Sequence, residues 1–177
     1  MLVLRDRETG TYWSPATGLG LSGPLAGERL RLLPGAVVTT ANAWEELSPD
    51  TVCLDTGEMS SVSIQLKLYG TSSMEGLSGA KVEDHRYPPK EKVFVVAEGS
   101  QSVAFTAAEL RKRKSASIQL ADEALLLEWD TGARAPRAYR MTGVAREEQP
   151  VIPLYWFAAT RHFPGIRTLA ELTSPGS

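Results

Sequence analysis

Glycine and proline set the scale on which this chain can fold. The 177 residues include 15 Gly and 11 Pro. Turn-forming strings recur at Gly10, Pro15 to Gly18, Pro34-Gly35, Pro49, the Asp-Thr-Gly runs at 55–57 and 130–132, and Pro164-Gly165. Each interrupts a helix or fixes a tight turn, so only short elements fit between them. Several of the intervening segments carry β-favouring residues. Leu2 to Leu4, Thr11 to Trp13, "ERLRLLPG" with Leu30 and Leu32 in alternation, and "TVCL" around Cys53 are expected as strands. "SVSIQLKLYG" has the clearest period of two, with Val62, Ile64, Leu66 and Leu68 on one side and Ser61, Ser63, Gln65 and Lys67 on the other. Residues 70–92, rich in Gly, Ser, Pro and charge, are expected to form a long loop.

The second half of the chain continues in the same style. "KVFVVAEGSQSVAFT" reads as a hairpin of Val93 to Ala97 and Val103 to Phe105 around a turn at Glu98 to Gln101. "ASIQLADEALLLEWD" supplies two more strands, and Arg137 to Met141 another. Helices are few. "VVTTANAWEELSPDT" runs from a strand into a short helix capped by Thr40 and stopped by Pro49. Thr106 with Glu109 three residues on forms a capping box for "TAAELRKRK". "PLYWFAATRHFPG" is expected as a helix with Pro153 near its first turn and Pro164-Gly165 at its end. The fold class is therefore α+β, mainly β, with many short antiparallel strands and two or three short helices. One β-rich domain is expected over residues 1–172, with a flexible tail over 173–177. An internal duplication is suggested by "RETGTYW" and "AWEELSPDT" against "WDTGARAPRAY" and "WFAATRHFPGI", giving half-repeats of about 3–56 and 88–170.

Composition narrows the partners. Hydrophobic residues at 42% and charged residues at 23% suit a globular protein with a sizeable core. A net charge of −2 and a pI near 5.8 argue against nucleic acid, which requires clustered cationic excess. No apolar run is long enough to span a bilayer, and "MLVLRDRETG" turns charged too early for a secretory leader. Cys53 is the only cysteine, which excludes an internal disulfide. A soluble, cytoplasmic domain is expected.

"GLGLSGP" spells G-x-G-x-x-G with Gly18, Gly20 and Gly23. A dinucleotide fingerprint needs a buried strand before it and a helix starting within it. Here Pro15 precedes and Pro24 and Gly27 follow, so the string is expected as a structural loop and no cofactor is assigned. Of the two histidines, His85 stands beside Glu83 and Asp84, a combination able to pair or to ligate a metal. No further ligand stands at metal spacing, however, and no metal is assigned. His162 falls in the last turn of a helix, where it complements the helix dipole. Cys53 is expected as a buried apolar residue. "LRKRK", Leu110 to Lys114, is expected as a solvated helix end. Trp13, Trp44, Trp129, Tyr155, Trp156 and Phe157 are expected as core anchors.

"DRETGTYWSPATGLGLSGPLAGERLRLLP", followed by "VTTANAWEELSPDT", resembles the prokaryotic family known as domain of unknown function 3179. "PPKEKVFVV", "SVAFTAAELRK" and "YWFAATRHFPG" resemble its later part, so the likeness covers about residues 4–56 and 88–167. The family pattern has an upstream half with a Cys-Pro-x-Cys-Gly stretch that has no counterpart here, and 57–80 lack its tyrosine-rich segment. The resemblance thus implies a member corresponding to the later part, and it transfers no reaction or catalytic residue. Candidate site residues are Asp84 and His85, with Trp13 and Arg29 from the first block. The expected function is that of a non-catalytic soluble binding or interaction domain for a small molecule or protein. The alternative is a metal-dependent or hydrolytic enzyme with a cleft near Asp84 and His85.

Overall fold

The computed structural model describes residues 3–52, 69, 72 and 83–173. The strand expected over Val62 to Leu68, Cys53 and most of the tail lie outside these described residues. Within them are 11 strands and four short helices, an α+β arrangement dominated by β structure.

The centre is the expected hairpin, β4 (Lys92–Glu98) and β5 (Gln101–Thr106), paired antiparallel from Val93↔Thr106 to Glu98↔Gln101. Both of its faces are covered. Val93, Val95 and Ala104 belong to one apolar cluster with Trp156, Ala159 and Ile166. Val96, Val103 and Phe105 belong to another with Ile118, Leu120, Leu125, Leu127 and Ala138. Successive strand residues point to opposite faces, so "VFVV" and "VAF" must be apolar throughout. Two short strands extend this sheet to the order β10-β4-β5-β11, with β10 (Ile152–Tyr155) antiparallel to β4 and β11 (Arg167–Thr168) parallel to β5.

The second sheet is an antiparallel meander, β6 (Ser115–Leu120), β7 (Glu123–Asp130), β8 (Ala135–Thr142) and β9 (Ala145–Gln149). A third, small sheet holds β1 (Leu4–Arg5), β2 (Tyr12–Trp13) and β3 (Gly20–Ser22). The helices are α1 (Ala41–Leu47), α2 (Ala107–Arg113), α3 (Trp156–His162) and α4 (Leu169–Thr173). No described helix is long and apolar enough to cross a membrane.

Five expectations need correction. Trp44 does not anchor a core: it is exposed, and its Nε1 donates to Thr51. "ERLRLLPG" is not a strand: among the described residues its only ladder contact is the bridge Leu19↔Arg29, and Leu30 and Leu33 are exposed. "VVTT" before α1 is likewise irregular. Pro153 lies in strand β10 opposite Phe94, not in a helix; β10 is an edge strand, where a missing N–H is tolerated. Part of "GLGLSGP" is strand β3 rather than loop.

Two hairpins share one construction. Asp6 pairs across to Thr11 over a four-residue loop, and Asp130 pairs to Ala135 over another. In each, the aspartate accepts loop amide N–H groups, from Thr9 (2.6 Å) and Gly10 (3.1 Å) or from Ala133 (2.9 Å). In each, the last loop residue has positive φ, Gly10 at 73° and Arg134 at 49°. Each aspartate also takes a side-chain donor seven residues on, Trp13 Nε1 at 2.9 Å and Arg137 Nε at 3.4 Å. Trp13 and Thr9 together hold the Asp6 carboxyl well below the usual carboxylate range.

The capping box is fully formed. The Glu109 amide donates to Thr106 Oγ1 at 3.1 Å, and the Thr106 amide donates to Glu109 Oε2 at 2.7 Å. Glu109 also accepts from Tyr87 Oη at 2.9 Å, and Tyr87 stands edge-on to the fully buried Trp156 with ring centres 5.1 Å apart. One carboxylate thereby ties the 83–91 segment to the start of α2. Glu109→Ala should lower unfolding stability by about 1–2 kcal/mol, Tyr87→Phe by less, and the double variant by less than the sum. Arg111→Ala on the exposed side of α2 should be near neutral. Urea denaturation of the four variants checks this, and strict additivity would refute the shared carboxylate.

Candidate functional site

A cleft of about 740 Å³ lies where the small β1–β3 sheet meets the central hairpin. Its walls come from Ser14 to Leu21, the strap Arg29 to Leu32, the β4–β5 turn, the β9–β10 junction and the end of α3. It is larger than the apolar groove under Val38 and Phe94 (about 90 Å³) and the polar hollow beside Asp84 (about 290 Å³).

The N-terminal wall is built by the glycine string. The Ser14 amide donates to the Leu19 carbonyl (2.8 Å), and the Leu30 amide donates to the Gly18 carbonyl (2.9 Å). The Gly20 amide donates to Glu28 O at 2.9 Å, and a Cβ on Gly20 would run into the Leu25 carbonyl. Gly23 sits at φ 110° with Thr11 Cα 2.8 Å from where its Cβ would stand. The glycines therefore serve close backbone approach and positive φ. No helix begins near them; the next is α1 at Ala41.

Three arginines line the cleft, Arg29, Arg31 and Arg161, together with His162. Arg29 Nη1 lies 3.4 Å from the Thr17 carbonyl. Neither Arg29 nor Arg31 takes part in an ion pair among the described residues. Glu98, the acidic residue of the cleft wall, is engaged by Arg140 Nη2 at 2.7 Å. Apolar surface comes from Leu19, Leu30, Ile152 and Phe163, and hydroxyls from Ser14, Ser100 and Ser102.

Of the candidate residues, only Arg29 lies in this cleft. Trp13 is buried and spent on Asp6, anchoring the wall that begins at Ser14. Asp84 lines the smaller hollow, and both its oxygens accept from Arg86, at 3.1 Å from Nε and 2.6 Å from Nη2. Arg86 in turn pairs with Glu171 (2.8 Å), donates to the Ile166 carbonyl (2.8 Å) and lies over the Trp156 ring. Asp84 is thus part of a clamp that closes the chain onto α3. His85 is exposed beside it and lines neither hollow. Among the described residues no group of three His, Cys, Asp or Glu could hold a metal ion. Arg31, Arg161 and His162 were not singled out by the sequence as site residues; only the fold brings their segments together.

The mainly β fold with a cleft at a sheet-to-hairpin junction defines an α+β protein with a preformed pocket. The chain belongs to the family described as Protein of unknown function (DUF3179), whose model matches residues 1–165. No curated protein and no solved structure matches it.

Two titrations follow from this geometry. Burial holds His162 below its ordinary value. As pH falls through about 6.5 the unfolded chain takes up a proton before the folded one does, so stability should fall there. Thermal melts between neutral and mildly acid pH should show this drop, and His162→Gln should flatten it; an unchanged slope would refute the role of burial.

For Asp84, the hydrogen bond from Arg86 lowers the pKa. For Glu171, burial pushes upward but the Thr168 amide and Arg86 outweigh it, so it too is lowered. Their contribution is present above about pH 4–4.5 and lost as pH falls through the folded values. Arg86→Met should cost about 1–2 kcal/mol at neutral pH, allowing for solvent around the pair. That difference should shrink in acid denaturation series run at progressively lower pH.

Proposed function

We propose that the protein is a non-catalytic binding domain that holds its ligand in the cleft between the small β1–β3 sheet and the β4–β5 turn. The observation that carries this reading is the cleft itself. Its volume falls in the range of small-molecule sites, and its lining sets apolar side chains beside cationic and hydroxyl-bearing ones that could orient a ligand. Catalysis by a side-chain nucleophile or an acid–base pair needs partners within hydrogen-bond reach. Among the described residues no hydrogen bond joins His162 to a hydroxyl or a carboxylate, and Glu98 is committed to Arg140.

A fragment screen followed by amide chemical-shift mapping tests this. Binders should perturb Leu19, Leu30, Ser102, Ile152 and Phe163 and be recovered unchanged. Ser100→Trp, placed on the exposed turn, should fill the cleft and abolish those shifts while leaving the fold intact. Shifts that map elsewhere, or ligand recovered chemically altered, would overturn the reading.

A further inference from the structure

Two arginines that no carboxylate meets among the described residues, Arg29 and Arg31, line the concave wall of the cleft. Arg86, Arg134, Arg137, Arg140 and Arg146 each meet at least one carboxylate within 3.5 Å, whereas Arg111 and Arg113 on α2 and Arg167 on the edge strand β11 meet none among the described residues. Arg29 and Arg31 meet none among the described residues, although the whole chain carries a net charge of −2. The one acid in the cleft wall, Glu98, has its charge met by Arg140. A concave surface with unmatched cations and low-dielectric walls attracts anions more strongly than an open patch does. Guanidinium forks fit the two oxygens of a carboxylate or a phosphate.

The apolar part of the lining sets the second requirement. Leu30 lies between the two arginines in sequence, and Ile152 and Phe163 come from the other walls. A bare inorganic ion would leave that surface wet, whereas a ligand with an apolar body would cover it. The volume accommodates a small molecule and not a folded partner.

We infer that the cleft selects small organic acids, in which a carboxylate or phosphate head meets Arg29 and Arg31 and an apolar body lies against Leu30, Ile152 and Phe163. This rests on the cleft being the binding site. Four probes separate the two claims: benzoate, phenyl phosphate, the uncharged isostere benzamide, and inorganic phosphate, each titrated against the whole chain with amide shifts as readout.

Benzoate or phenyl phosphate should bind at least about tenfold more tightly than benzamide, and added salt should weaken the acids alone. The double variant Arg29→Gln/Arg31→Gln should remove that preference by weakening the acids far more than benzamide; both side chains are exposed, so the fold should persist. Arg111→Gln/Arg113→Gln on α2 is the charge-matched control and should change nothing. The stronger of the two acids identifies the head group. Equal binding of acid and amide, with no effect of the double variant, overturns the selection of acids and leaves the cleft as a site. Inorganic phosphate binding as tightly as phenyl phosphate overturns the role of the apolar body. If none of the four probes moves the cleft signals, both the selection and the binding reading fail.

Discussion

Burial of the β4–β5 hairpin on both faces is the constraint on which the other contacts depend. Val93 and Val95 reach the cluster under α3, while Val96, Val103 and Phe105 reach the core shared with the meander. A hairpin buried on both sides contributes apolar area twice, and any polar substitution in it would have to find a partner in one core or the other. It also fixes the position of its own turn. Gly99 and Ser100 project beyond both cores, and that turn forms one wall of the cleft. The pocket is thus referenced to the most deeply buried pair of strands, even though most of its other residues lie on straps and loops.

How far the sequence discloses this varies with the kind of force involved. The hairpin, β6, β7 and the Thr106–Glu109 cap are legible because apolar runs and caps act over a few residues. β9 is not legible, because "AREEQ" has no hydrophobic signal. It is held by cross-strand pairs such as Arg140–Glu147 (3.2 Å) and Arg137–Glu148 (2.7 Å), which depend on register. α4 had a signal that went unused. Thr168 and Glu171 repeat the spacing of Thr106 and Glu109, and the Thr168 amide donates to Glu171 at 2.7 Å. The alternation at Leu30 and Leu32 misled for the opposite reason: period two reports a strand only where another strand is available to pair with it.

The candidate site was less legible than the fold. Asp84 and His85 drew notice because they are chemically versatile neighbours, yet versatility in sequence says nothing about what occupies each oxygen in space. Arg86, only two residues on, occupies both oxygens of Asp84. The G-x-G-x-x-G string misdirects in a similar way. Its glycines allow backbone to pass close to Leu25 and Thr11, and so they shape a wall of the cleft without contributing a ligating group. Arg29 was the candidate that did reach the cleft, through a strap held by the hydrogen bond from the Leu30 amide to the Gly18 carbonyl and entered from Glu28, whose carbonyl accepts from the Gly20 amide.

Charge placement links these observations. The meander's arginines take up carboxylates from their own sheet and from β4: Glu147 and Glu98 on Arg140, Glu148 and Asp130 on Arg137, Glu128 on Arg146. The Asp84 clamp does the same around Arg86. Glu98, the one acid that lines the cleft among the described residues, is one of those committed, and Arg29 and Arg31 keep their charge facing a concave surface. An exposed arginine gains little from a surface partner in any case, so leaving two unmatched costs the fold little. The same two charges beside an apolar wall gain much more from a ligand that excludes water from them. The asymmetry between what these arginines are worth to stability and what they are worth to binding is the physical reason to place recognition here rather than at Asp84.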